Sequence, residues 1–206
     1  IATGAFLVAG ISAWKLLKKQ DTEFFRTSFK MAVITALIAS IAIAQFGHGQ
    51  AKYLMETQPM KMAASEGLWE ESSDPAPWTL FAVIDPYAQE NRFEVKIPYL
   101  LSFLSYSEFS GSVPGINDIQ AEYEQAYGPG NYIPPVRTTF WSFRIMVGLG
   151  IMMILLAMYG SYVVLRKKWE QVGNWYWRTM IAAIAFPFIA NTAGWMMTEI
   201  GRQPWT

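Results

Sequence analysis

Three stretches of this chain carry no charged side chain for longer than a globular core helix requires, and they decide what it can fold into. Residues 31–46, 145–165 and 179–197 are these apolar blocks. About 20 such residues, wound as a helix, cross roughly 30 Å of hydrocarbon. Residues 1–17 read as the last part of another span, and the 31–46 block is extended by Phe24 and Phe25. A segment inside lipid must satisfy its own backbone polar groups, which favours helix over strand. The expected fold class is therefore an all-α integral membrane protein, a transmembrane helix bundle. Three full spans (24–46, 137–165, 174–199) and one partial span (1–17) are expected. Pro187 lies inside the last block. It has no N–H and its ring crowds the carbonyl of Ala183 in a continuous helix, so a kink is expected there. That kink is either a tolerated membrane proline or a bend that makes room for a cofactor.

Charge places the loops. Lys15, Lys18, Lys19, Arg26 and Lys30 cluster before the second block, and Arg166, Lys167, Lys168 and Arg178 before the last. Short basic loops stay in the cytoplasm. Residues 47–136 then face outside, and they hold most of the acids, among them Glu56, Glu70, Glu71, Glu94 and Glu122. The formal net charge is zero, which argues against a nucleic-acid partner. The absence of cysteine excludes disulfides, thiolate metal sites and covalent haem attachment through C-x-x-C-H. A single histidine, His48, excludes a His-rich metal cage. The chain opens on mid-helix sequence without an initiator Met or a basic leader region and stops abruptly, so it reads as a piece of a longer polypeptide.

The external segment is too long for a simple connector. Residues 59–71 read as a short helix. Residues 79–84 and 92–97 read as a strand pair around the Asp85-Pro86 turn. Residues 128–135 read as irregular.

Several side chains could carry chemistry. Glu199 ends the last span on the outer side, where an ionisable group is costly and often functional; it could equally have reached the outer water. Trp195 shares its helix face one turn earlier, as a flat wall for a planar cofactor or as an ordinary interfacial tryptophan. Met146 is one of 11 methionines; a thioether can be an axial haem ligand, while most methionines pack. Arg144, near the outer end of the same span, could snorkel outward or pair with an anionic group such as a haem propionate. Gly148 and Gly150 follow, either admitting a flat ligand or serving helix packing. Lys61 and Glu66 could supply polar contacts and a proton acceptor to a quinol, with Met60, Met62 and Ala63 as an apolar floor. The pair lies about 140° apart on an ideal helix, so the two would serve different sides of a site unless the helix is distorted. The ordinary alternative is a solvated surface helix. His48 reads as solvent-facing and receives no haem.

Several of these strings occur together in a known order. Gly-Arg-Gln-Pro-Trp at 201–205, Gln-Pro-Met-Lys-Met-Ala-Ala-Ser-Glu at 58–66, Phe-Arg-Ile-Met at 143–146 and Gly-Ile-Ser-Ala-Trp at 10–14 resemble the large, haem-carrying subunit of cytochrome bd-type quinol oxidases. The resemblance covers nearly the whole chain. It implies that Met146 ligates a low-spin haem b, which Arg144 supports. It further implies that Glu199 ligates a high-spin haem b with Trp195 beside the haem cluster, and that Lys61 and Glu66 take part in quinol oxidation. Residues 202–205 would be structural near the outer surface. The implied reaction runs from quinol through the haems b to dioxygen at haem d or a third haem b, with a proton motive force formed across a bacterial or archaeal cytoplasmic membrane. Implied partners are a second membrane subunit, small accessory subunits, membrane quinol and dioxygen. The family's two haem-ligating histidines have no counterpart here, because the chain begins after both, so alone it is not a working oxidase. Its external loop is of the short type. Two other readings stand beside this one: a transporter or channel fragment with Glu199 and Arg144 lining a polar path, and a haem-free structural subunit.

Overall fold

The computed structural model describes residues 1–204; Trp205, the last residue of the 201–205 string, lies outside the described residues. Two helices, α2 (Thr22–Thr57) and α6 (Val136–Leu165), are long and apolar enough to cross a membrane. A third crossing is made if α7 (Asn174–Ala182) and α8 (Phe186–Ile200) count as one span bent by 43°. The partial span at the start is the shorter apolar helix α1 (Ala2–Leu17). The helical membrane architecture is the expected one, and the bend falls where Pro187 requires it. The residues before Phe186 leave the α-helix, and Pro187 enters the first turn of α8, where a missing N–H breaks no helical hydrogen bond.

The chain divides into two compact units. One holds residues 1–46 and 146–192. Its core is built of small and aromatic side chains: Phe6, Ala9 and Ala13 from α1, Phe29, Val33 and Ala36 from α2, Ala157 from α6, and Tyr176 and Met180 from α7. Tyr176 donates its hydroxyl hydrogen to the Leu156 carbonyl at 2.8 Å, and Phe29 meets Trp177 edge to face at 5.2 Å. Small residues let membrane helices approach closely. Gly10 is the tightest case, since a Cβ there would stand 2.3 Å from Ile184 Cγ1 and 2.9 Å from the Met180 carbonyl oxygen. Further along α2, the apolar side chains of Ile38, Ile41, Ile43 and Phe46 are all exposed.

The other unit holds residues 47–145 and the chain end from Ala193. Within it, α2 runs on past residue 46 to Thr57, longer than expected. Extending an existing helix costs little per residue, and Pro59 is the first residue that forbids it. Gln58 leaves the α region, which a following proline disfavours (φ −142°, ψ 62°), and α3 (Pro59–Glu66) begins. This helix stops at Glu66, short of the expected residue 71. Gly67 adopts φ +66°, a left-handed cap that glycine enters without strain. Leu68 N–H returns to the Ala63 carbonyl at 3.0 Å.

The hairpin is present and slightly longer than expected. Strands β1 (Trp78–Asp85) and β2 (Glu90–Ile97) pair antiparallel with two register irregularities. Asp85 Oδ1 holds the turn by accepting from the Tyr87 and Ala88 N–H groups at 3.1 and 3.3 Å. Asn91 ties the hairpin to the α3 cap, donating to the Gly67 carbonyl at 2.9 Å and accepting from Trp69 Nε1 at 3.2 Å. Two further helices, α4 (Leu100–Tyr106) and α5 (Ile116–Tyr127), were not expected from the sequence. The α5 start is tied to the chain after α3: Ile116 N–H donates to the Leu68 carbonyl at 2.8 Å, and Asn117 N–H to that of Trp69 at 3.0 Å. Residues 128–135 hold no helix or strand, as expected.

Candidate functional site

The short helix α3 is buried on every side, from Met60 to Glu66. The solvated surface helix is thereby excluded. Lys61 is 4% exposed and Glu66 1%. They face different surroundings, as their five-residue separation requires.

Glu66 meets Arg144 of α6. Arg144 Nη2 donates to Glu66 Oε2 at 2.6 Å, Nε to the Thr79 carbonyl at 2.7 Å and Nη1 to the Ser65 carbonyl at 3.3 Å. The guanidinium lies 4.5 Å from the ring centres of both Trp78 and Phe140, where cation–π attraction adds to the ion pair. Arg144 therefore does not snorkel outward; it is buried and its anionic partner within the chain is Glu66. Burial pushes the Glu66 carboxyl above its ordinary pKa, while the charge and hydrogen bond of Arg144 pull the other way. A buried carboxyl under such opposed influences is a candidate proton acceptor.

Lys61 faces a cavity of about 360 Å³. Its aliphatic stem passes Gly201, where a Cβ would stand 2.9 Å from Lys61 Cγ. The ammonium makes no protein hydrogen bond among the described residues. Burial lowers its pKa, Arg202 lowers it further, and Glu199 acts in the opposite sense. Gln58, Arg202 and Gln203 add polar groups to the cavity, and Met60, Tyr123 and Tyr127 add apolar and aromatic wall. Sequence reasoning missed both tyrosines, because it left α5 as loop. It also gave Arg202 a structural role only, whereas this side chain lines the cavity and pairs with Glu199.

Three candidates, Met146, Trp195 and Glu199, bear on the fit to a haem. Met146 is half-buried on α6. Gly150 shares its face one turn on, and a Cβ at Gly148 or Gly150 would meet nothing within 4 Å. Space therefore lies beside the backbone next to the thioether. Glu199 Oε2 accepts from Arg202 Nη2, while Oε1 has no protein hydrogen bond among the described residues. Trp195, one turn earlier, is 64% exposed. A carboxylate oxygen and a flat ring on one open helix face, and a thioether beside an open glycine, suit axial ligation of a macrocycle. Arg144 retains N–H donors beyond its three hydrogen bonds. His48 is half-exposed, 3.4 Å from Ser107 Oγ.

The family model of cytochrome bd terminal oxidase subunit I matches residues 1–206. The chain belongs to the cytochrome bd terminal oxidase subunit I family. It is 61% identical over its whole length to cytochrome bd ubiquinol oxidase subunit 1 of Bacillus subtilis (strain 168), covering 44% of that protein. Over 98% of its length it is 30% identical to cytochrome bd-II ubiquinol oxidase subunit 1 of Escherichia coli (strain K12), covering 50% of it. Among solved structures, the bd oxidase from Geobacillus thermodenitrificans superposes on 99% of the chain with a TM-score of 0.84 at 35% identity, the match covering 44% of that chain. This cytochrome bd subunit I chain thus spans about half the length of the relatives it matches. It is a multi-pass membrane protein, and the family match lends nothing to the transporter or channel reading.

Proposed function

We propose that this chain is the quinol-oxidising and haem-ligating portion of a respiratory quinol:oxygen oxidoreductase, in which quinol is oxidised at α3. The observation that carries this reading is the pair of buried groups on the two sides of α3. A free ammonium lines a ring-sized cavity, and a carboxyl of raised pKa is held by a guanidinium.

Oxidation of a quinol to a quinone releases two electrons and two protons. Lys61 is suited to donate a hydrogen bond to a ring oxygen and to orient the substrate. Glu66, on the other side of α3 and outside the cavity wall, is suited to accept a proton relayed from the substrate and become a neutral carboxyl; the fixed charge of Arg144 holds its geometry and favours the carboxylate again when that proton is passed on. Met60 and the half-buried Tyr123 shield the ring from water on their side. Bound haem would supply the one-electron acceptors, a low-spin haem b held by Met146 with Arg144 in support and a high-spin haem b held by Glu199 with Trp195 beside it. Dioxygen reduction at haem d or a third haem b belongs to the whole protein. With residues 47–136 on the outer side, quinol protons leave outside and contribute to a proton motive force. The exposed apolar row of Ile38, Ile41, Ile43 and Phe46 on α2 suits lipid or a second membrane subunit.

Steady-state turnover of the assembled oxidase tests the reading. Lys61→Ala and Glu66→Ala should each slow quinol oxidation, the latter by about 10²-fold or more if it is the proton acceptor. Oxidation of an artificial electron donor should persist. Equal loss with both donors would assign these residues to folding instead.

A further inference from the structure

We infer that Tyr123 and Tyr127 of α5 form a rigid platform that positions the quinol ring opposite Lys61, so that α5 sets the substrate's affinity. This rests on reading the α3 cavity as the quinol site. The two tyrosines stand one helical turn apart with ring centres 5.8 Å apart at 72°. Both pack on Tyr132, at 5.9 and 6.3 Å. Backbone contacts hold that third ring. Its hydroxyl donates to the Gly128 carbonyl at 3.0 Å, and its N–H to Gln120 Oε1 at 2.9 Å. Gln120 Nε2 in turn donates to the Gly130 carbonyl at 2.6 Å. An aromatic face fixed in this way loses little side-chain freedom when a ligand lies on it.

The cavity's chemistry selects what lies there. Its Arg202 is already paired with Glu199, so among the described residues Lys61 supplies the unpaired charge, beside the neutral amides of Gln58 and Gln203. A phosphate would leave the aromatic wall unused. A neutral planar ring that carries oxygen uses both, stacking on one tyrosine ring with the other, inclined at 72°, at its edge, and accepting from Lys61. At about 360 Å³ the cavity lies at the small end of ligand pockets, with room for a ring and not for a long isoprenoid tail.

The test is a set of variants in the assembled oxidase, each measured for quinol KM and kcat and for turnover with an artificial donor. Tyr123→Leu and Tyr127→Leu should raise the quinol KM about tenfold with kcat held within about twofold, because a platform binds ground and transition states alike. Tyr123→Phe and Tyr127→Phe keep the ring and should restore the wild-type KM. Tyr123 is half-buried; should its Leu variant lose turnover with both donors, the exposed Tyr127 decides. A Tyr127→Leu enzyme with wild-type quinol KM overturns the inference. If that result comes with a raised KM in Lys61→Gln, the quinol site stands without its platform. If Lys61→Gln is also silent, the site itself is refuted.

Discussion

A carboxylate and a guanidinium taken out of water are tolerated because they meet each other, and the cost of separating them is large. Removing one partner of such a pair typically costs about 3–5 kcal/mol. Arg144→Met should therefore lower the thermal stability of the assembled protein strongly, while Glu66→Gln, which keeps an acceptor for Arg144, should cost much less. The pH dependence follows with a definite sign. Burial raises the Glu66 pKa above its ordinary value of 4.5, so the folded chain binds this proton more tightly than the unfolded one. Stability from this group is present at low pH and is lost as pH rises from the ordinary value through the raised one. Thermal melts across that window should slope downward for the wild type and flatten in Glu66→Gln. A second residue-scale expectation concerns Met146. Met146→Leu conserves volume and should abolish low-spin character at one haem b in a reduced-minus-oxidised spectrum, whereas an unaltered spectrum would reject the ligand role. At this scale the sequence was informative about residue types and silent about partners. The spacing of Lys61 and Glu66 already separated their faces, but nothing local tells that Arg144, 78 positions away, closes on Glu66.

Among the elements, the bent α7–α8 pair and the α3 helix were readable because proline and glycine act locally. Pro187 forbids a straight helix, and Pro59 opens α3. The end of α3 was placed too late because glycine is permissive rather than obligatory, and only the observed left-handed Gly67 ends the helix at Glu66. The helix α5 escaped notice since one narrow stripe, Ile116, Ile119 and Tyr123, is apolar in a strongly polar segment; the i, i+3, i+7 spacing and Asp118 bonded back to the Gly115 N–H at 3.1 Å were its signals. Close approach in the α1–α7 contact gives a prediction at this scale. Gly10→Ala forces its Cβ onto Ile184 and the Met180 carbonyl, and overpacking of this kind costs about 1–3 kcal/mol. A lowered melting temperature with retained quinol KM is expected.

For the molecule as a whole, hydropathy and the spread of basic residues were enough to assign a helical membrane protein, because lipid leaves so few spanning solutions. They could not show that α2 continues past the apolar block to Thr57, since polar sequence extends a helix as readily as it ends one. The family match covers residues 1–206, yet the chain covers about half of its relatives. The complete oxidase is therefore where the account must be tested. The most direct measurement is the anaerobic reduction of its low-spin haem by quinol, followed optically in Glu66→Gln beside the wild type. The account predicts an unchanged spectrum, full reduction by dithionite, and quinol-driven reduction slowed by about 10²-fold or more, as expected for loss of a proton acceptor. Reduction by quinol at the wild-type rate would contradict it.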